Sequence, residues 1–444
     1  MNNIKLSDHF TYKKLLRFTL PTIAMMIFTS IYDVVDGFFI SNFVGETAFA
    51  SLNLIYPFVM IFSVVGLMLG VGGSALVAFT IGTGDEKKAR ELFSMFVYLS
   101  IAMGIVFTII GFIFAEPVAR FLGANEEMLP YCVLYGKICF VGITPLILQI
   151  MFHSFFVTAQ KPRLGFFITV GAGLTNMFLD WLFVVVLKLG LAGAAWASVT
   201  SMIVGGVLPV IYFLLPNSSL LRLGKTKFYP RELRKAATNG SSEFVSNISL
   251  SFVGMLYNFQ LMKYVGQAGV AAYGVVTYTN FIFLGCFIGY SIGMIPVIGY
   301  NYGSKNKKEL ENVFKRSMKL IMISSVFMAA ISMFAAKFLA GIFVSNNPAL
   351  LTMTTKAIRI YSISYLFSGI NLFGSSFFTG LNNGKVSALI SFMRVLVLQV
   401  FFVLILPMLF SVNGIWMSII MAELCAMIIT ISCLVKYRDK YGYA

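Results

Sequence analysis

Along this chain, runs of about 20 apolar residues alternate with short polar breaks, and each run can cross the hydrocarbon core of a bilayer. The pattern predicts helices over 18–40, 51–79, 92–115, 131–157, 164–187 and 191–215. A second set follows over 241–262, 271–299, 318–343, 358–380, 386–410 and 414–435. Glycine, proline, asparagine and charge mark the breaks, as in "IGTGDEKKARE" and "YNYGSKNKKELE". Ahead of the first run, "SDHFTYKKLLRF" reads as a short amphipathic helix at the inner membrane surface, capped by Ser7 or Asp8. No cleavable signal peptide is evident. The expected fold class is an all-α polytopic membrane protein with twelve transmembrane helices.

The two loops just quoted occupy one register. A shift of 221 residues brings Val44 onto Val265, Gly45 onto Gly266, Ala50 onto Ala271 and Phe62 onto Phe283. It continues through the loop, with Gly72 on Gly293, Gly82 on Gly303, Lys87 on Lys308 and Phe93 on Phe314. Later, "SFFVTAQK" resembles "SFFTGLNN", and "WAS" at Trp196 resembles "WMS" at Trp416. The chain therefore divides into an N-terminal six-helix bundle (1–216), a basic cytoplasmic linker (217–236) and a C-terminal six-helix bundle (237–444). Six is even, so the halves share one topology and are related by a pseudo-two-fold axis along the membrane normal. Two such bundles can open a cavity alternately to either side, which points to a transporter.

Composition agrees with the pattern: 59% of the 444 residues are hydrophobic and 11% are charged, against about a quarter charged in soluble proteins. The net charge of +16 could suggest nucleic acid, but its distribution argues otherwise. Clusters such as Lys13, Lys14 and Arg17, then Lys87, Lys88 and Arg90, then Arg222 to Lys235, recur at alternate breaks. The intervening breaks hold few cations. This asymmetry orients a multi-pass protein in the plasma membrane with both termini cytoplasmic, and the basic loops face membrane lipids. Five cysteines lack metal-ligand spacing and read as small buried hydrophobes. The glycines of "GLMLGVGGSA" lie within a span and read as helix-packing positions, not a nucleotide loop. No catalytic motif is present, so an enzyme is not expected, and neither a metal site nor a bound cofactor is.

Carboxylates within spans are costly, by about 2.5–3.5 kcal/mol at the bilayer centre, and so mark candidate sites. Asp33 and Asp36 share one face of the first helix in "IYDVVDGFFI". In the fifth, "TNMFLDWLF" sets Asn176 one turn before Asp180. Asp36 follows Arg17 by 19 residues and Asp180 follows Arg163 by 17, so at about 1.5 Å per residue both rise to a similar level in the outer half of the membrane. Such acids can either fasten helices together or bind a coupling cation; their coincidence favours the second.

At this point the chain resembles the multidrug and toxic compound extrusion (MATE) family over nearly its full length. The resemblance rests on "LPTI", "DVVDGFFI", "VGETAFASLNLIYPF", "NMFLDWLF" leading to "GLAGAAWAS", "VGQAGVAAYG" and "PVIGYNYGS". The family's helix-1 aspartate falls on Asp36, and its helix-5 Asn-x-x-x-Asp on Asn176 and Asp180. The resemblance implies a V-shaped pair of bundles and efflux driven by protons or sodium ions, with these first-half acids serving the coupling ion and, for Asp36, the substrate. Some members also carry an acid deep in helix 7, whereas here the nearest is Glu243, eight residues beyond Lys235 and close to the inner mouth. Glu243 either lines the entrance or opens its helix; Asn247 shares the ambiguity. Arg394 and Glu423 lie about nine residues into the last two helices and are expected to pair at mid-depth.

Family and charge together suggest small amphipathic organic cations as substrates, held by Phe and Met side chains, amides and carboxylates. Tyr32, Tyr56, Gln149, Met255, Asn258 and Tyr290 are candidate wall residues, and a monomer is expected. A flippase for a lipid-linked saccharide is the alternative, though it would call for more arginines within the spans than Arg394.

Overall fold

The computed structural model describes residues 4–345 and 347–444, without the side chains at 33, 34, 37, 38, 41, 42 and 46. The first half forms α1 (Tyr12–Phe43), α2 (Glu46–Gly82), α3 (Glu86–Phe121) and α4 (Leu129–Val141 with Ile143–Thr158). It continues with α5 (Pro162–Asp180, then a wide π-type turn, Trp181–Val186) and α6 (Gly190–Leu214). The second half forms α7 (Pro230–Tyr264), α8 (Gln267–Gly303), α9 (Lys307–Val344) and α10 (Pro348–Ser362 with Tyr365–Gly380). Last come α11, which starts at Gly384–Phe392 and passes a π-type turn, Met393–Val397, and α12, continuous with it in Leu398–Tyr441 except at Ser411. There φ is 49° and ψ is −133°, which is not helical, and the two spans part.

The twelve expected spans are thus present. Among the described residues, eight helices are individually long and apolar enough to cross a bilayer, nine when the two parts of α4 are joined across their 56° bend. The remaining spans escape that measure for particular reasons. α7 carries Asn247, Asn258 and Gln260 inside its apolar stretch, the parts of α10 have only 15 and 16 residues, and α12 is counted with α11.

Several helices begin earlier than the apolar runs predict. Charge ends an apolar run but does not end a helix. Asp85 caps α3 by accepting from the Lys88 amide at 3.0 Å, and Asn306 caps α9 by accepting from the Glu309 amide at 3.1 Å. α7 likewise starts at Pro230, within the predicted linker, and Pro suits a helix's first turn.

The N-terminal segment departs from expectation more strongly. Residues 8–11 form no helix of their own, and α1 starts at Tyr12. Asp8 pairs with Lys14 at 3.3 Å and does not cap. Leu6 and Phe10 are fully buried. The Phe10 amide donates to Glu309 Oε1 at 2.8 Å, and the Asn312 side-chain amide donates to the Phe10 carbonyl at 3.0 Å. Burial of two apolar side chains and satisfied backbone groups fix this segment at the start of α9, where a surface-lying helix was expected.

The chain forms two compact units, one of residues 28–240, the other of 4–27 with 241–444. Each unit therefore contains the opening turns of the other half's first helix, a division different from the expected 1–216 and 237–444. Small residues make this possible. In the first unit, a Cβ on Gly240 would overlap the Met68 carbonyl oxygen, and one on Gly72 the Ala236 oxygen. In the second, a Cβ on Gly293, the counterpart of Gly72, would lie 2.9 Å from Thr19 Cγ2. The repeat also extends to backbone conformation. Positive φ values occur at Gly45 and Gly266 (105° and 80°), and at Gln160 and Asn382 (59° and 56°). Glycine adopts this region without strain; Gln160 and Asn382 adopt it at tight turns where each helix pair reverses.

The glycines of α2 pack as expected: Gly70 faces Met151 Cα of α4 at 2.9 Å, and Gly73 faces Phe96 and Phe155. Phe93, Phe152, Phe155 and Phe213 fill the basic end of the first unit; Phe93 lies 4.9 Å from Phe213 and 5.1 Å from Phe155 between centroids.

Candidate functional site

α5 delivers Asp180 at the last α-helical residue before the π-type turn Trp181–Val186. A π-type turn widens the helix by one residue and is often found at functional positions. Asp180 is fully buried and Asn176, one turn earlier, is 3% exposed. α1 brings Asp36 to the same place, where Asp180 and Asn176 are the side chains acting on it. Among the described residues, Oδ1 of Asp36 and both carboxyl oxygens of Asp180 are buried without a hydrogen-bond partner of normal geometry. The two acids are thus neighbours, close enough to share a hydrogen bond when one of them carries a proton. Buried carboxyl oxygens that lack donors are rare in folded proteins and ask for an explanation. Asp33 lies outside the described side chains.

The α1–α5 approach that creates this pair rests on Gly173. A Cβ there would meet Phe28 Cε1 at 2.6 Å and Tyr32 Cδ1 at 3.1 Å. Tyr32 is therefore packed against α5 one turn below Asn176. Tyr56 is 36% exposed. Tyr135 of α4, 2% exposed, lies within electrostatic range of Asp36, Tyr56 and Cys139. Tyr135 and Cys139 were not among the predicted residues. A tyrosine or cysteine in an apolar run looks like ordinary core, and only the fold puts them beside an acid. Gln149 is buried against Gly205 of α6, with Nε2 2.8 Å from that glycine's Cβ position.

The second unit holds a different constellation. Arg394, in the π-type turn of α11, donates through Nε to Glu423 Oε1 at 2.8 Å and Oε2 at 3.0 Å. The Asn371 side-chain amide donates to Glu423 Oε2 at 2.7 Å and to its carbonyl at 2.9 Å. Thr430 completes the network by donating to Asn371 Oδ1 at 2.9 Å. Glu423 is 1% exposed and Arg394 9%. Every carboxylate oxygen is engaged, so this is a neutralised, closed cluster, unlike the open acids of the first unit. Asn371 and Thr430 were missed because single polar residues in a span carry no spacing signal.

The other second-half candidates separate. Glu243 is half-buried and feels the charge of Arg394, while the Asn247 side-chain amide donates to the Glu243 carbonyl at 2.9 Å within α7. Met255 is 63% exposed, and Asn258 is also exposed. Tyr290 does not have the character of a cavity wall. It is 4% exposed, its hydroxyl donates to Ser317 Oγ at 2.8 Å, and its ring packs on Phe373. It fastens α8 to α9 and α10.

Comparison with known proteins adds a common description. The family model described as MatE matches residues 21–182 and 244–405. The chain is 25% identical over 427 residues to the multidrug export protein MepA of Staphylococcus saprophyticus, covering 94% of this chain and 92% of that protein. It is 24% identical over 424 residues to MepA of Staphylococcus aureus (strain MRSA252), with the same coverage. Among solved structures, a MATE protein in complex with MaL6 superposes over the whole of both chains with a TM-score of 0.94 at 20% identity. A multidrug resistance MATE family transporter in the outward-facing conformation gives 0.93 at 22% identity, over 100% of this chain and 99% of that one.

Proposed function

Because this chain belongs to the MatE family, and is therefore a multi-pass membrane transporter and not an enzyme, we propose that it exports amphipathic organic cations by antiport against protons or sodium ions. The observation that carries this reading is the pair Asp36 and Asp180, buried in one unit with three carboxyl oxygens lacking donors. Two carboxylates this close repel one another, and a proton, a sodium ion or an organic cation between them relieves that repulsion. Asn176 supplies a further oxygen that a metal cation could share. Occupants that use the same oxygens exclude each other, which is the elementary requirement of exchange. Loading from one side of the membrane and release to the other then follow if the site changes its exposure between steps. The MepA relatives, named as multidrug export proteins, support a broad substrate range. The plasma membrane is the corresponding location.

The test uses purified protein in vesicles loaded with a fluorescent cationic dye, with a proton or a sodium gradient imposed separately. Dye movement should follow one gradient, and Asp36→Asn and Asp180→Asn should each abolish it while folded protein is still recovered. Full gradient-driven transport by either variant would refute the assignment. Translocation of a lipid-linked saccharide without dye movement would favour the flippase instead.

A further inference from the structure

The basic loop between α6 and α7 is not a loose tether. Leu221 is fully buried, the Leu223 amide donates to the Phe213 carbonyl at 2.8 Å, and the Gly224 amide donates to Ser94 Oγ at 3.1 Å. Tyr98 donates to the Gly224 carbonyl at 3.1 Å, and Thr226 to the Glu91 carbonyl at 2.6 Å. Held this way against the first four turns of α3, the loop encloses an open cleft of 670 Å³.

Its lining includes four cations, Lys87, Arg90, Arg222 and Lys225, and two acids, Glu86 and Glu91. The acids are already engaged. Glu86 pairs with Arg90 at 3.3 Å, and Glu91 accepts from Tyr229, whose hydroxyl it keeps protonated to about 12. Among the described residues Lys87 and Lys225 make no ion pair, and Arg222 donates through Nη2 to the Asn217 carbonyl. The cleft thus presents surplus positive charge on a fixed frame. The repeat does not reproduce it: under the 221-residue shift Arg90 becomes Glu311, and the matching start of α9 is covered by Phe10.

The same face of α3 continues from Ser94 to Tyr98, 40% exposed, and then to Ile105 and Ile109, 54% and 56% exposed. A helix with exposed apolar residues at this spacing faces acyl chains, and tyrosine marks the interface. We propose that this cleft is a binding site for a phosphate-bearing anion, occupied by the headgroup of an anionic glycerophospholipid whose chains lie along Ile105 and Ile109. Arginine and lysine are the side chains suited to phosphate oxygens, and the inference does not depend on what the protein transports.

The experiment takes full-length protein in phosphatidylcholine nanodiscs, titrated with phosphatidylglycerol, and measures retained lipid by native mass spectrometry. Removing Lys87, Arg222 and Lys225 together by substitution with Ala should weaken phosphatidylglycerol retention by about tenfold. The control, Lys307→Ala, Lys308→Ala and Lys385→Ala, removes equal charge elsewhere and should change it by less than about twofold. If loss of Arg222 unseats the loop, the pair Lys87→Ala and Lys225→Ala, which breaks no ion pair, still gives a measurable loss. Displacement of the lipid by glycerol 3-phosphate or inorganic phosphate at equal concentration would assign the site to a free phosphate. Equal losses in the two triple variants, or no preference over phosphatidylcholine, would overturn the proposal.

Discussion

At the scale of single residues, the two units treat buried charge in opposite ways. Glu423 has its oxygens filled by Arg394 and Asn371, whereas Asp180 faces a second acid, Asp36, and among the described residues no amide or cation donates to its oxygens. A closed ion pair holds helices; open carboxyls can take a visitor. The closed cluster should therefore behave as structure. Arg394→Met leaves a buried carboxylate without its counter-charge and should cost about 3–5 kcal/mol. Adding Glu423→Gln removes that charge, keeps an acceptor for Asn371, and should recover most of the loss. Thermal unfolding of the purified protein checks both. A double variant as unstable as the single one would show that the guanidinium contributes packing and not charge balance.

At the scale of elements, glycine determines where helices can cross. The opening turns of α7 lie against α2 so closely that Gly240 and the Met68 carbonyl leave no room for a methyl group. Gly240→Ala should lower stability by about 1–3 kcal/mol through overpacking. Gly171→Ala, in α5, meets nothing within 4 Å and should be neutral or stabilising by up to about 1 kcal/mol, because alanine favours helix. Melting temperatures of the two variants in the same detergent decide it, and equal shifts would discredit the crossing as a close one. The breaks follow the same logic. α4 bends by 56° at Gly142, and α11 parts from α12 at Ser411, so each half accommodates six spans with some helices bent or nearly merged.

At the scale of the whole molecule, the charge pattern predicts orientation. From the clusters at alternate breaks, the basic cleft and both termini are expected on the cytoplasmic side. In a background with the five cysteines replaced, cysteine at Lys87 or Lys225 should react with an impermeant thiol reagent only after cells are opened. Cysteine at Lys356 should react in intact cells. Reversed labelling would invert the direction in which the transporter is expected to work, while leaving its fold untouched.

The number of spans, the repeat and the two acids were legible from the amino acids alone, because hydrophobic run length, a constant 221-residue register and a carboxylate in an apolar run are all one-dimensional signals. Helix ends were less so. Asp85 and Asn306 extend helices past the point where apolarity stops, since capping is a local hydrogen-bond effect that hydropathy does not register. Only the tertiary structure decided that Asp36 and Asp180 meet, that Tyr135 stands beside them, that Tyr290 is core, and that residues 4–27 belong with the second unit. Those facts depend on which faces of distant helices touch. That choice is made by the fit of small residues such as Gly72, Gly173 and Gly240 against particular backbones, and such a fit exists only in three dimensions.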